Sequence, residues 1–130
     1  MTEETFLDLV TKYVATRFDR DHQIPYLVIK PNGATRISAA NAPSPCRDGR
    51  AEKLVAELRV QEPMLAFAGE AKVIGPDQPE EVVLINFYVG VKHVSLFVSI
   101  VRQPGEPPVL GAWQCGKIED GMLNPPAEWN

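Results

Sequence analysis

The chain has 130 residues, 45% of them apolar and 23% charged, and a net charge of −4 from 17 acidic and 13 basic side chains. That is the size and mix of one globular domain rather than a disordered chain. No run of Lys or Arg concentrates positive charge, which speaks against nucleic acid and against a basic membrane-surface patch, and the longest apolar run, residues 64–68, is far short of the ~20 residues a membrane helix needs.

The opening Met1-Thr2-Glu3-Glu4 is acidic where a secretory signal would be basic and then apolar, so a cytoplasmic protein is expected. Two cysteines, Cys46 and Cys115, are too few for a disulfide scaffold and lack CxxC spacing. In a cytoplasmic chain they read as free thiols.

The first element is a helix over about residues 2–18. Phe6, Leu9, Val10, Tyr13, Val14 and Arg17/Phe18 recur at three- and four-residue steps and so share one stripe. Thr2 is placed to cap it, and Glu3 and Glu4 lie in the first turn, where the helix dipole favours negative charge. A strand over residues 25–30 follows, rich in Tyr26, Val28 and Ile29. Pro31-Asn32-Gly33 then reads as a tight turn into a second strand over residues 34–39. Because Pro31 has no N–H to close a two-residue loop, a type I turn is expected, with Pro31 at its first central position and Gly33 left-handed.

Residues 41–49, with two prolines and a glycine, form a loop. Asp48 is placed to cap a second helix running to about Val60, with Ala51, Leu54, Val55 and Leu58 on its buried face, and Glu62-Pro63 ends it. Residues 64–74 read as a strand interrupted near Gly69, and Gly75-Pro76-Asp77-Gln78-Pro79 as a turn.

An aliphatic hairpin spans about residues 82–101. Extended at ~3.3 Å per residue, this stretch would run ~70 Å, several times the ~14 Å radius of gyration of such a domain. The chain must therefore reverse, and Gly90 is the residue suited to it. A type II′ turn centred on Gly90-Val91 pairs Val89 with Lys92, Phe87 with Val94, Ile85 with Leu96 and Val83 with Val98. The other face then pairs Tyr88 with His93, Asn86 with Ser95 and Leu84 with Phe97. A three-residue loop would mix apolar and polar faces, so the turn preference and the face sorting agree.

A last strand over residues 109–115 is expected after the Pro104-Gly105-Glu106-Pro107-Pro108 loop, and residues 116–130, holding Trp129, read as an extended tail. The expected fold is α+β: a single domain over residues 1–130, with an antiparallel sheet of five to six strands, two helices packed on one face, and the order α-β-β-α-β-β-β-β.

Chemistry-bearing residues are few. Cys46 is the reactive-thiol candidate: it stands just before a helix N-terminus with Arg47 and Arg50 nearby, and both features favour a thiolate. A cysteine-phosphatase loop would need Arg six positions on, where Glu52 stands. Asp19-Arg20-Asp21-His22 offers carboxylates and an imidazole. A calcium loop, however, would need Gly where Ile24 stands and Glu where Lys30 stands, so a solvated helix end is the simpler reading.

The mixed hairpin face carries the ligand or interface candidates Asn86, Tyr88, His93, Ser95 and Phe97, beside Leu84, Ser99 and Val101. Tyr88 with His93 has the groups for acid–base chemistry, but lies near an exposed hairpin tip. Trp129 is a further interface candidate, while Trp113 reads as a core anchor. No phosphate loop, nucleophile elbow or HExxH pair is present, and neither a catalytic residue, a metal set nor a cofactor is assigned. The expected function is a non-catalytic protein-interaction domain, of chaperone, adaptor or inhibitor type, homodimeric through its sheet. The alternative is a small-ligand-binding or enzymatic domain with a pocket between a curved sheet and the first helix.

Overall fold

The computed structural model describes residues 1–43, 50–73, 80–115 and 123–124. Cys46, Asp48, Trp129, the turn at residues 75–79 and most of the tail lie outside the described residues. Helix α1 (Glu3–Asp21) begins as its sequence implies: the Thr2 hydroxyl oxygen accepts the Thr5 N–H at 3.2 Å. Phe6, Val10, Val14 and Phe18, one every four residues, are buried, with Leu9, Tyr13 and Arg17 half-buried along the flanks. The helix stops three residues beyond Phe18. His22 turns left-handed (φ 61°) and its N–H returns to the Phe18 carbonyl at 2.6 Å.

At this helix end Arg20 donates from both Nε and Nη2 to the Asp21 carboxylate, 2.8 and 2.9 Å away. These hydrogen bonds hold the Asp21 carboxyl below its ordinary range, and Asp21 in turn raises the Arg20 guanidinium. Asp21 is ionised more readily folded than unfolded. Its contribution is present above the unfolded pKa and fades as pH falls through the lower folded one. Both groups are exposed, so the effect on stability is small. An NMR titration of the Asp21 side chain is expected to show a midpoint below that of an ordinary aspartate, raised towards it by Arg20→Ala while Arg17 stays within 3.6 Å; a midpoint unchanged by that substitution would refute the pairing.

The sheet is antiparallel, in the order β2-β1-β3-β4-β5-β6. Its members are β1 (Leu27–Pro31), β2 (Ile37–Asn41), β3 (Met64–Val73), β4 (Glu80–Val89), β5 (Lys92–Val101) and β6 (Val109–Leu110). Two further pieces join it: β7 (Gln114–Cys115) pairs β5, and β8 (Leu123–Asn124) pairs β3. Helix α2 (Arg50–Gln61) connects β2 to β3. The fold is therefore α+β, with the expected element order.

Several local expectations change. Pro31 does not open a turn; it ends β1 opposite Ile37, and residues 32–36 make the reversal with Gly33 at φ 89°. The reason is the parity of the ladder. Asn32 donates to Arg36 and Ala42 to Tyr26, so even-numbered residues of β1 bond to β2 and Pro31's missing N–H falls on the side where β2 needs none. The second strand accordingly starts at Ile37 rather than residue 34. Strand β3 is not interrupted at Gly69, which pairs with Leu84 in an unbroken ten-residue register against β4. The last strand is divided: three residues, Gly111, Ala112 and Trp113, stand opposite Val98 and Ser99, a bulge that separates β6 from β7.

The hairpin register is as expected at every predicted pair, from Val83↔Val98 to Val89↔Lys92. Gly90 has φ 60° and Val91 does not have a positive φ, as type II′ requires and type I′ would not allow. Val83, Ile85, Phe87 and Val98 face a core shared with Leu27, Ile29, Ala66, Ala68 and the α1 stripe. Helix α1, ~28 Å long, crosses a six-strand sheet ~24 Å wide and touches β2, β3 and β6. Beside it the buried Glu70 carboxylate accepts the Ile24 N–H at 3.2 Å, anchoring the segment between α1 and β1. Among the described residues no helix is long and apolar enough to cross a membrane.

The two helices do not share a face. Tyr88 points away from the α1 core, and the Arg59 guanidinium of α2 lies over its ring, 4.9 Å from the centroid. The half-buried Leu54, Val55 and Leu58 of α2 do not belong to the core cluster under α1. Helix α2 thus lies on the opposite side of the sheet from α1.

Candidate functional site

Alternation along β4 and β5 places Val82, Leu84, Asn86, Tyr88, His93, Ser95, Phe97 and Ser99 on this second face. Leu65, Phe67 and Ala71 continue it onto β3. Burial falls across the face. Leu65, Phe67 and Val82 are at most 2% exposed, Asn86, Tyr88, Ser95 and Phe97 are half-buried, and His93 is exposed. The face is covered towards β3 and open towards β5.

On the open half, four of the predicted residues form one cluster. Ser95 Oγ donates to Asn86 Oδ1 at 2.7 Å, and His93 Nε2 lies 3.0 Å from the same oxygen. An amide oxygen only accepts, so with the amide in this orientation His93 carries its proton on Nε2. The imidazole also stacks on its cross-strand partner Tyr88, with ring centroids 4.6 Å apart and planes 7° from parallel. Arg59 completes the group from α2: besides lying over Tyr88, its Nη2 donates to the Gly90 carbonyl at 3.2 Å, tying the helix to the hairpin tip.

Phe97 shares the face one pair further along, opposite Leu84. At the far end Ser99 donates to Glu80 and Arg102 bonds to Glu81. Cys115 is an exposed free thiol on β7. His22 serves as the α1 C-cap.

Arg59 is the residue that sequence reasoning missed. In the sequence it stands four residues past Val55 and one past Leu58, at the edge of the apolar stripe of α2. Nothing local says that α2 folds back over the hairpin.

The Ser95 hydroxyl is not aligned on a base in this geometry. A serine is activated when its hydroxyl proton points at a base. Here that proton goes to Asn86 Oδ1, and the imidazole nitrogen nearest to Ser95, at 3.5 Å, is itself the donor. Among the described residues, the side chains between α1 and the sheet pack directly against one another. Phe6, Val10, Val14, Ile29, Ala66, Ala68, Val83, Ile85, Phe87 and Val98 are all 0% exposed, so no water-sized void touches them. An open hollow does border Thr2, Glu3, Glu4 and Leu7 at the start of α1, and none of the described candidate residues lines it. No family model, curated protein or solved structure matches this chain.

Proposed function

We propose that this chain is a non-catalytic protein-interaction domain, homodimeric through its sheet, whose β4–β5 outer face docks another protein. The observation that carries this reading is the Arg59–Tyr88–His93–Asn86–Ser95 cluster: a half-exposed patch whose polar groups already satisfy one another. Such a surface meets a partner with little ordering cost. Tyr and Arg are also the side chains that most often dominate interface energetics. The filled interior beneath α1 weighs against the rival reading of a ligand pocket there.

A photo-crosslinking amino acid at His93, compared with one at Lys12 on the exposed side of α1, tests the docking face. Protein cross-links are expected from position 93 and not from position 12. Arg59→Ala and Tyr88→Ala are each expected to reduce the yield about tenfold, as truncation of a central anchor does. Equal labelling from both positions would refute the docking face.

A further inference from the structure

We propose that the free edge of β2 pairs antiparallel with the β2 edge of a second copy, about a two-fold axis through Ala39. This rests on the reading that the chain self-associates through its sheet, and it assigns the route. The Asn32-to-Arg36 and Ala42-to-Tyr26 hydrogen bonds, both 2.8 Å, establish that even-numbered residues of β2 bond to β1. Ser38 and Ala40 therefore use their backbone groups within the chain, while Ile37, Ala39 and Asn41 turn N–H and C=O outward. Among the described residues no strand takes them up.

The two edges of the sheet differ in how they are guarded. Natural edges are blunted by short strands, bulges, prolines and charge. The β6/β7 edge has the first three: two-residue strands, the bulge at Gly111, Ala112 and Trp113, and Pro107-Pro108 before it. Strand β2 has none. Its five residues, Ile37, Ser38, Ala39, Ala40 and Asn41, are uncharged, contain no proline and are in unbroken register with β1.

The edge is also self-complementary, which is what a two-fold interface demands. Centred on Ala39, Ile37 meets Asn41 of the second copy, Ala39 meets Ala39, and each of these outward pairs exchanges two N–H···O=C bonds. Ser38 meets Ala40, so no like charges oppose each other and no bulky side chains collide. The docking face on β4–β5, two or more strands away, stays open in such a dimer.

Light scattering and sedimentation over a concentration series test this. The wild type is expected to pass from 14.4 kDa to twice that mass. Ala39→Pro removes an outward N–H and no intrachain one, so it is expected to stay at 14.4 kDa with unchanged circular dichroism and melting. Should that variant misfold, charge pairs replace it. S38E/A40K sets Glu opposite Lys across the axis and is expected to shift the midpoint about tenfold to lower concentration; S38E/A40E opposes like charges and shifts it about tenfold higher.

A wild-type dimer that neither Ala39→Pro nor the charge pairs affect overturns the edge. If His93→Glu dissociates that dimer instead, self-association through the sheet stands, but by its outer face. A wild type monomeric to about 1 mM overturns both the edge and the homodimer, leaving β4–β5 as a face for a different protein.

Discussion

Phe87→Ala is expected to destabilise the protein by about 3–5 kcal/mol, measured as a fall in urea midpoint at unchanged slope. Phe87 is 0% exposed and stands at the centre of the inner face, opposite Ala66 on β3 and Val94 on β5. Small Ala66 leaves room for the large ring, and α1 closes over it. The ring meets Phe6 edge-to-face, with centroids 6.0 Å apart and planes at 83°. Truncation leaves a cavity that neither the ten-pair ladder to β3, the eight-pair ladder to β5 nor the helix above collapses into, so the loss exceeds the transfer energy of the ring alone.

Against a typical total stability of about 5–15 kcal/mol, that is a large share. A double-mutant cycle with Phe6→Ala is expected to return a coupling of about 0.5–1.5 kcal/mol for the aromatic pair. A loss below about 1 kcal/mol for Phe87→Ala would mean the inner face is not packed as described.

Gly90→Ala is expected to cost about 1–3 kcal/mol, from backbone strain rather than contact. A Cβ at Gly90 would meet nothing within 4 Å, so crowding contributes nothing. The φ of 60° at the first central position of a type II′ turn is what an L-residue resists. The same glycine joins two elements: its N–H donates to the Pro63 carbonyl at 3.0 Å, and its carbonyl accepts from Arg59. A variant that moves the turn thus also loosens α2 from the hairpin tip. Thermal melts give the stability, and the Tyr88 ring signals report whether Arg59 still lies over them. Gly33→Ala is a useful contrast, since φ 89° strains it too while no such bond to α2 depends on it. A neutral Gly90→Ala would refute the type II′ assignment.

The two substitutions separate what is local from what is not. The hairpin from β4 to β5 was legible pair by pair because one glycine and a period-two pattern together admit a single register, and both act within a few residues of the turn. The α1 stripe and its Thr2 cap were legible for the same reason: a 3.6-residue period and a capping hydroxyl are properties of adjacent residues. Four of the candidate residues, Asn86, Tyr88, His93 and Ser95, inherit their clustering from that register. Once the strand pairing is known, their meeting follows.

What crosses a long connection was decided only by the folded chain. Helix α2 lies far in sequence from the hairpin, and its weakly apolar stripe suits either side of the sheet. Because α1 already occupies one face of the sheet, α2 packs on the other, carrying Arg59 onto Tyr88. Gly69 looked like a break, but β4 pairs with β3 on both sides of it, and a ladder of ten residues outweighs one residue's strand preference. Pro31 looked like a turn residue, yet the parity that spares its missing N–H is set by β2. Residues 109–115 were read as one strand because the extra residue of a bulge is defined only against its partner. Residue patterns of period two and 3.6 determined the hairpin and the first helix. Burial and pairing between distant segments determined which face each element took, and with it the part of the candidate site contributed by α2.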